Sequence, residues 1–149
     1  MNILGLDNLV FGVDDLAASR QYLLDYGLHE VGFDPVAGGS FAALDGTAIT
    51  IRRSDDPGLP PLPPGAHSPC LRETIYGVAD AATLEALRAE LAKDRPAERG
   101  ADGVLRAMDD GGFAIGFQLT VRRPYSARHL GFNVPGQPPG RAPNDCAAN

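Results

Sequence analysis

The chain reads as an α+β protein built from two tandem β-α-β-β-β units. Three observations predict this. First, the stretch Leu6–Leu16 (LDNLVFGVDDL) is written a second time as Leu71–Asp80 (LRETIYGVAD). Leu6/Leu71, Val10/Ile75, Phe11/Tyr76, Gly12/Gly77, Val13/Val78 and Asp15/Asp80 match at an offset of 65 positions. Second, Asp45–Ile51 is echoed by Gly111–Phe117 at an offset of 66, with Gly46 answering to Gly112 and Ile49 to Ile115. Third, a helical stripe follows each copy of the opening stretch. A near-constant offset across separate elements marks an internal duplication, which organises everything else in the chain.

Taken in order, Ile3 to Val13 has strand character with apolar residues on both faces. Leu9, Phe11 and Val13 fall on one face, and Leu6, Asn8 and Val10 on the other. A strand apolar on both sides is covered on both sides. Asp14 is placed to cap the following helix and Asp15 to add charge to its first turn. Leu16, Arg20, Leu23 and Leu24 carry the helical spacing, and Gly27 ends it. Leu28 to Phe33 is a short strand, and Gly38-Gly39 a turn. Ser40–Leu44 and Thr47–Arg52 form a hairpin across Asp45-Gly46.

Residues 54–70 read as a linker. Pro57, Pro60, Pro61, Pro63, Pro64 and Pro69 break any periodicity there. The second unit begins with the strand Leu71–Val78. Asp80 caps a helix whose Leu84, Leu87 and Leu91 form one stripe. The segment Pro96–Leu105 has room only for a weak strand. Val104–Met108 and Phe113–Val121 form the last hairpin, across Asp109–Gly112. Residues 125–149, with Pro135, Pro138, Pro139 and Pro143, read as an extended tail or a connector.

Bulk composition excludes several function classes. The 149 residues suffice for one domain with a sizeable core, and two halves of this size share burial. Thirteen basic residues against nineteen acidic ones give a net charge of −6. That argues against a nucleic-acid backbone and against an anionic membrane surface as partner. The two cysteines, Cys70 and Cys146, have no zinc-type spacing. The N-terminus has no signal-peptide pattern, and no apolar run approaches a membrane span. A cytoplasmic protein with reduced thiols is the expectation. Nothing forms a Ser-His-Asp or Cys-His set, and the Rossmann and P-loop glycine patterns are absent.

Two such units in tandem, each opening with the strand-helix written here as LDNLVFGVDDL, resemble the vicinal oxygen chelate superfamily. Glyoxalase I, extradiol ring-cleaving dioxygenases, fosfomycin-resistance transferases and bleomycin-binding proteins belong to it. The resemblance covers residues 3 to about 123. It implies one glyoxalase/dioxygenase-type domain over 1–124, from repeats 3–53 and 71–123. Their mixed sheets would curl around a cup, with the helices outside. It also implies metal positions on the first and last strand of each half, normally filled by His, Glu or Gln. Carried over residue by residue, these are Asn8, Thr50, Glu73 and Gly116. Glu73 is the only competent ligand among them, so no metal is expected in this chain. A catalytic divalent ion needs about three protein ligands.

The cup lining expected from the strand faces is Leu6, Val10, Leu71 and Ile75, with Asn8, Thr50, Arg52, Glu73, Gly116 and Gln118. Glu73 has two readings. In one it is a lone ligand or a general base, the single catalytic candidate. In the other it is a buried carboxylate paired with Arg52, Arg72 or Arg122, as buried charges normally are. Asn8 bonds either a ligand or the backbone, and Gly116 lets a ligand or another chain segment come close. His29, His67 and His129 fall on no motif position and read as surface residues.

Two functions follow from the resemblance. One is the metal-free half of an extradiol ring-cleaving-dioxygenase-like enzyme. Fe(II) or Mn(II) would then sit in a following module of the same fold. The stretch Phe132-Asn133-Val134-Pro135-Gly136 resembles the connector of two-module members. The other is a standalone, metal-independent protein that dimerises and sequesters a small aromatic or apolar molecule, such as a drug, in the cup. Its acidic charge would favour a cationic ligand with Glu73 as counter-ion. A metal site completed by a dimer partner's His129 is a third possibility.

Overall fold

The computed structural model describes residues 2–124. The expected tail 125–149, with His129, Cys146 and the Asn133–Gly136 stretch, lies outside the described residues.

Both copies of the opening stretch fold as strands, β1 (Ile3–Val13) and β5 (Cys70–Val78), and they pair with each other antiparallel. This pairing is the centre of one eight-stranded sheet. On one side of it β4 (Ala48–Arg53) runs parallel to β1, followed by β3 (Gly38–Ala42) and the edge strand β2 (His29–Asp34). On the other, β8 (Ala114–Leu119) runs parallel to β5, followed by β7 (Leu105–Met108) and the two-residue β6 (Glu98–Arg99). The sheet order is β2-β3-β4-β1-β5-β8-β7-β6, so the duplication appears as an approximate two-fold about the β1/β5 pair. The sheet curls without closing, as expected for this α+β class.

Each half sets one helix against the outer face. Helix α1 (Leu16–Asp25) starts at Asp15, whose side chain accepts a hydrogen bond from the Ala18 amide. The expected cap, Asp14, instead accepts from the Ser54 and Ser68 hydroxyls, which pulls its carboxyl below the usual range. Asp80 caps α2 (Ala81–Leu91) through the Thr83 amide as expected. Leu16 and Leu23 of α1 pack on Val13, Phe41 and Ile51 of the sheet, and Leu84 and Leu87 of α2 on Val78, Leu105 and Phe117. Val13/Val78 and Ile51/Phe117 are duplication partners, so the same positions supply both cores. Burying each such side chain is worth about 2 kcal/mol. A third cluster, Val10, Leu59, Ile75 and Val104, sits apart from both.

The turns follow the glycine signals with one shift. Gly46 and Gly112 adopt positive φ, at 89° and 80°, in the two equivalent hairpins. The turn expected at Gly38-Gly39 falls at residues 35–37, and both glycines begin β3. A side chain at Gly39 would run into the Gly32 carbonyl of the neighbouring strand, so glycine is needed inside the sheet. No helix among the described residues is long and apolar enough to cross a membrane.

Candidate functional site

The β1/β5 pairing shifts register at three places, between Ile3 and Gly5, Leu6 and Asn8, and Val10 and Phe11, and the last two decide what faces inward. In β1, Leu6 pairs with Tyr76 and Asn8 with Ile75, leaving Asp7 as the extra residue. In β5, Val10 pairs with Glu73 and Phe11 with Leu71, leaving Arg72 extra. Asp7 and Arg72 are themselves duplication partners, offset by 65. Both are buried charged residues, at 1% and 7% exposure. Asp7 accepts from the Thr120 hydroxyl at 3.1 Å, the Val121 amide at 2.9 Å and the Gln118 amide at 3.3 Å, with Arg122 Nε at 3.5 Å. Arg72 donates from Nε to the Pro60 carbonyl at 2.9 Å, again through Nη2, and from Nη1 to the Ser54 carbonyl at 3.2 Å. Each bulge residue thus ties down the segment that leaves the last strand of the opposite half.

The curled inner face encloses an open cavity of about 980 Å³. Asn8 and Val10 of β1, Thr50 and Arg52 of β4, Glu73 and Ile75 of β5, and Gln118 of β8 all line it. Leu6, Leu71 and Gly116 do not, contrary to expectation; Gly116 lies beneath the Val104, Ile75 and Glu73 side chains. A bulge slips the register by one residue, and one residue reverses every side chain before it. Leu6 instead borders a separate groove of about 190 Å³ with Tyr26 and Leu28.

The two halves furnish the cavity floor differently at equivalent positions. In the first, Asn8 Nδ2 donates to Thr50 Oγ1 at 3.0 Å, and Thr50 shares a 2.7 Å hydrogen bond with the Ser40 hydroxyl. In the second, Glu73 Oε1 accepts from Arg106 Nε at 2.8 Å. Arg106 also forks onto Asp102, with Nη1 and Nη2 donating at 2.8 and 2.7 Å. Glu73 corresponds to Asn8, Arg106 to Ser40 and Gly116 to Thr50. Gly116 leaves the room that the ion pair uses: a Cβ there would stand 2.9 Å from Val104 Cγ1, 3.1 Å from Ile75 Cγ1 and 3.3 Å from Glu73 Oε1. The close neighbours at this glycine are the protein's own side chains.

Glu73 is 4% exposed and ion-paired, but not to any of the three arginines the sequence nominated. Arg52 pairs with Asp56 at 2.6 Å, Arg72 serves the linker carbonyls, and Arg122 stands beside Asp7. The Asp102 fork, together with the Glu73 charge, holds the Arg106 guanidinium above its ordinary value despite desolvation. The same fork holds Asp102 below the usual carboxylate range. Arg106 was missed because its strand is short and lacks a motif. Extending the 66-residue offset to Ser40 would have found it.

Leu59 was also missed. The linker Asp56–Pro60 crosses the mouth, with the Gly58 amide donating to Asp56 Oδ1 at 2.7 Å. It drives Leu59 among Val10, Ile75 and Val104 on the inner face. The opposite wall comes from the α2–β7 segment, including Arg95, Glu98 and Asp102. His29 and His67 are exposed and lie away from the cavity.

The metal positions that the family resemblance implies do not fit a divalent cation here. Glu73 faces a fixed guanidinium, Asn8 and Thr50 are spent on each other, and Gly116 has no donor. Three or four oxygen or nitrogen ligands converging on one point are required. Among the described residues, no three His, Cys, Asp or Glu side chains gather in that way.

No protein-family description and no curated protein matches the sequence. Solved structures do match. An extradiol ring-cleaving dioxygenase from B. fuscum superposes with a TM-score of 0.65 at 20% identity, covering 83% of this chain and 34% of its own. The homoprotocatechuate 2,3-dioxygenase of Arthrobacter globiformis gives 0.64 at 20% identity, covering 83% and 38%. The Mn(II)-bound glyoxalase of Novosphingobium aromaticivorans gives 0.60 at 17% identity, covering 85% and 43%. The chain therefore spans between 34% and 43% of the length of these proteins. With the duplicated β-α-β-β-β plan and the central β1/β5 pairing, these superpositions establish that the chain has the vicinal oxygen chelate fold.

Proposed function

We propose that this chain is the metal-free half of an extradiol ring-cleaving-dioxygenase-like enzyme, shaping and supporting the assembly rather than carrying its chemistry. One observation carries the reading. Of the four positions where the fold would present metal ligands, Gly116 has no side chain and the other three are already engaged: Asn8 with Thr50, which also bonds Ser40, and Glu73 with Arg106, which also forks onto Asp102. A network of this kind is a packing solution, costly to open for an incoming ion. The partner in this reading is a following module of the same fold, or a second copy of the chain, in the cytoplasm. Fe(II) or Mn(II) belongs to that other module. Glu73 then serves as half of a structural ion pair.

A second reading is supported by the cavity itself. A volume of about 980 Å³ lined by Val10, Leu59, Ile75 and Val104 on one side and polar groups on the other suits a small organic molecule. Under it the chain is a metal-independent binding protein for an aromatic or apolar compound, of the drug-sequestering kind.

Metal content separates the first reading from a catalytic one. The purified chain is incubated in turn with Fe(II), Mn(II), Zn(II) and Ni(II), desalted, and assayed by inductively coupled plasma mass spectrometry. Retention far below one ion per chain is expected. One ion held per chain or per dimer would overturn the reading and make Glu73 the first ligand to replace.

A further inference from the structure

We infer that the notch formed by Val10, Ile75 and Val104 is the subsite for a ligand's aryl body, and that Leu59 is its resident occupant, displaced when a ligand binds. This rests on the second reading above, that the cavity is a ligand site, and adds where in it the apolar part sits and what guards the place. Val10 and Ile75 are duplication partners on the two central, paired strands, so the notch lies at the middle of the inner face. With Val104 and Leu59 they form a buried apolar cluster, and all four line the cavity. Val10 and Ile75 belong to the sheet and Val104 directly precedes β7, whereas Leu59 is lent by the linker between the repeats. The apolar ground that a ligand would use is therefore already taken, by a side chain that is not part of the cup's frame.

Residues 54–60 are built to let that side chain go. Arg72 holds both ends, donating to the carbonyls of Ser54 and Pro60. Between them the turn is closed on itself. The Gly58 amide donates to Asp56 Oδ1 at 2.7 Å, and the Leu59 amide to the Asp56 carbonyl at 3.1 Å. The turn can swing between fixed ends without breaking its own hydrogen bonds. Two contacts keep it down. One is Leu59 itself, 8% exposed, while its neighbours Pro57 and Gly58 are exposed. The other is the ion pair of Asp56 with Arg52 at 2.6 Å, whose side chains are 17% and 37% exposed. A pair partly open to water is a weak catch. An aryl group buries more apolar area in such a notch than an isobutyl side chain does, so a ligand can take the place of Leu59. Until it does, only the open fraction of the molecules binds, and the observed affinity is reduced by that fraction.

The test uses naphthylmethanol, a neutral aryl probe, on the full chain. Affinity is measured by titration calorimetry, and the site is located by NMR contacts between methyl groups. Leu59→Ala vacates the notch and should bind the probe at least about ten-fold more tightly than wild type, as for an open fraction of about one in ten or less. In the saturated wild-type complex the contacts between Leu59 and Val104 methyls should disappear, replaced by contacts of the probe with Val10, Ile75 and Val104. Asp56→Ala removes the catch and leaves the notch intact, and should tighten binding by about two- to five-fold. Equal or weaker binding by Leu59→Ala, or Leu59–Val104 contacts that persist in the saturated complex, would make Leu59 a fixed wall and overturn the inference while leaving the cup as a ligand site. Where Leu59→Ala does not fold, unchanged binding by Asp56→Ala overturns it. Failure of wild type and both variants to bind the probe would overturn the inference and the ligand-site reading together.

Discussion

Replacing Arg106 with methionine removes the counter-charge from Glu73 and leaves most of the side-chain volume in place. Arg106 is 37% exposed on its side chain, so its own hydration changes little. The cost falls on Glu73, 4% exposed, which loses the hydrogen bond from Arg106 Nε at 2.8 Å. Breaking a buried pair by deleting one partner costs about 3 to 5 kcal/mol. Water in the open cavity reaches one side of Glu73, which puts the expectation at the lower end, about 3 kcal/mol. For a domain of this size that lowers Tm by about 6 to 12 °C. The double variant Glu73→Gln/Arg106→Met removes the uncompensated charge and should recover about 2 kcal/mol of the loss. Urea unfolding of the wild type, both single variants and the double variant closes the cycle. Additive losses, or a loss below about 0.5 kcal/mol for Arg106→Met, would refute the view that Glu73 is held by this pair.

Gly116→Ala should destabilise by about 1 to 3 kcal/mol, because the new Cβ meets Val104 Cγ1 at 2.9 Å with no flexible chain end to yield; a thermal melt within error of wild type would show the floor is looser than it looks. The Asp102–Arg106 fork makes a directional pH prediction. Asp102 is held below its unfolded value, so its contribution is present above about pH 4 and is lost as pH falls through the lower folded value. The stability difference between wild type and Asp102→Asn should therefore be constant near neutrality and close on acidification, as read from urea midpoints across the acid range. A gap that widened in acid would contradict the sign.

Much of the architecture was legible because it is written twice. The offsets of 65 and 66 located both opening strands, both helices and both closing hairpins, and local chemistry supplied Asp80 and the hairpin glycines. The family resemblance and the two-residue period of the strands together named ten residues for the cup, of which seven, from Asn8 to Gln118, line the cavity and Leu6, Leu71 and Gly116 do not. These are consequences of near-neighbour rules: alternation, capping and turn conformation depend on residues a few positions apart.

What the sequence could not state is the outcome of competition between distant groups. The bulges at Asp7 and Arg72 arise because each buried charge reaches hydrogen-bonding partners on the other half, and that slip turned Leu6 and Leu71 away from the cup. The partner of Glu73 was decided by which guanidinium the sheet brings within 3 Å across a glycine, and that was Arg106 on a four-residue strand. Leu59 entered the cup because Arg72 holds the proline-rich linker across its mouth. The repeated pattern alone thus determined that there would be two halves and a shared concave face. Only the folded chain, where desolvated charges must find partners, decided that one half floors that face with hydroxyls and an amide and the other with an ion pair.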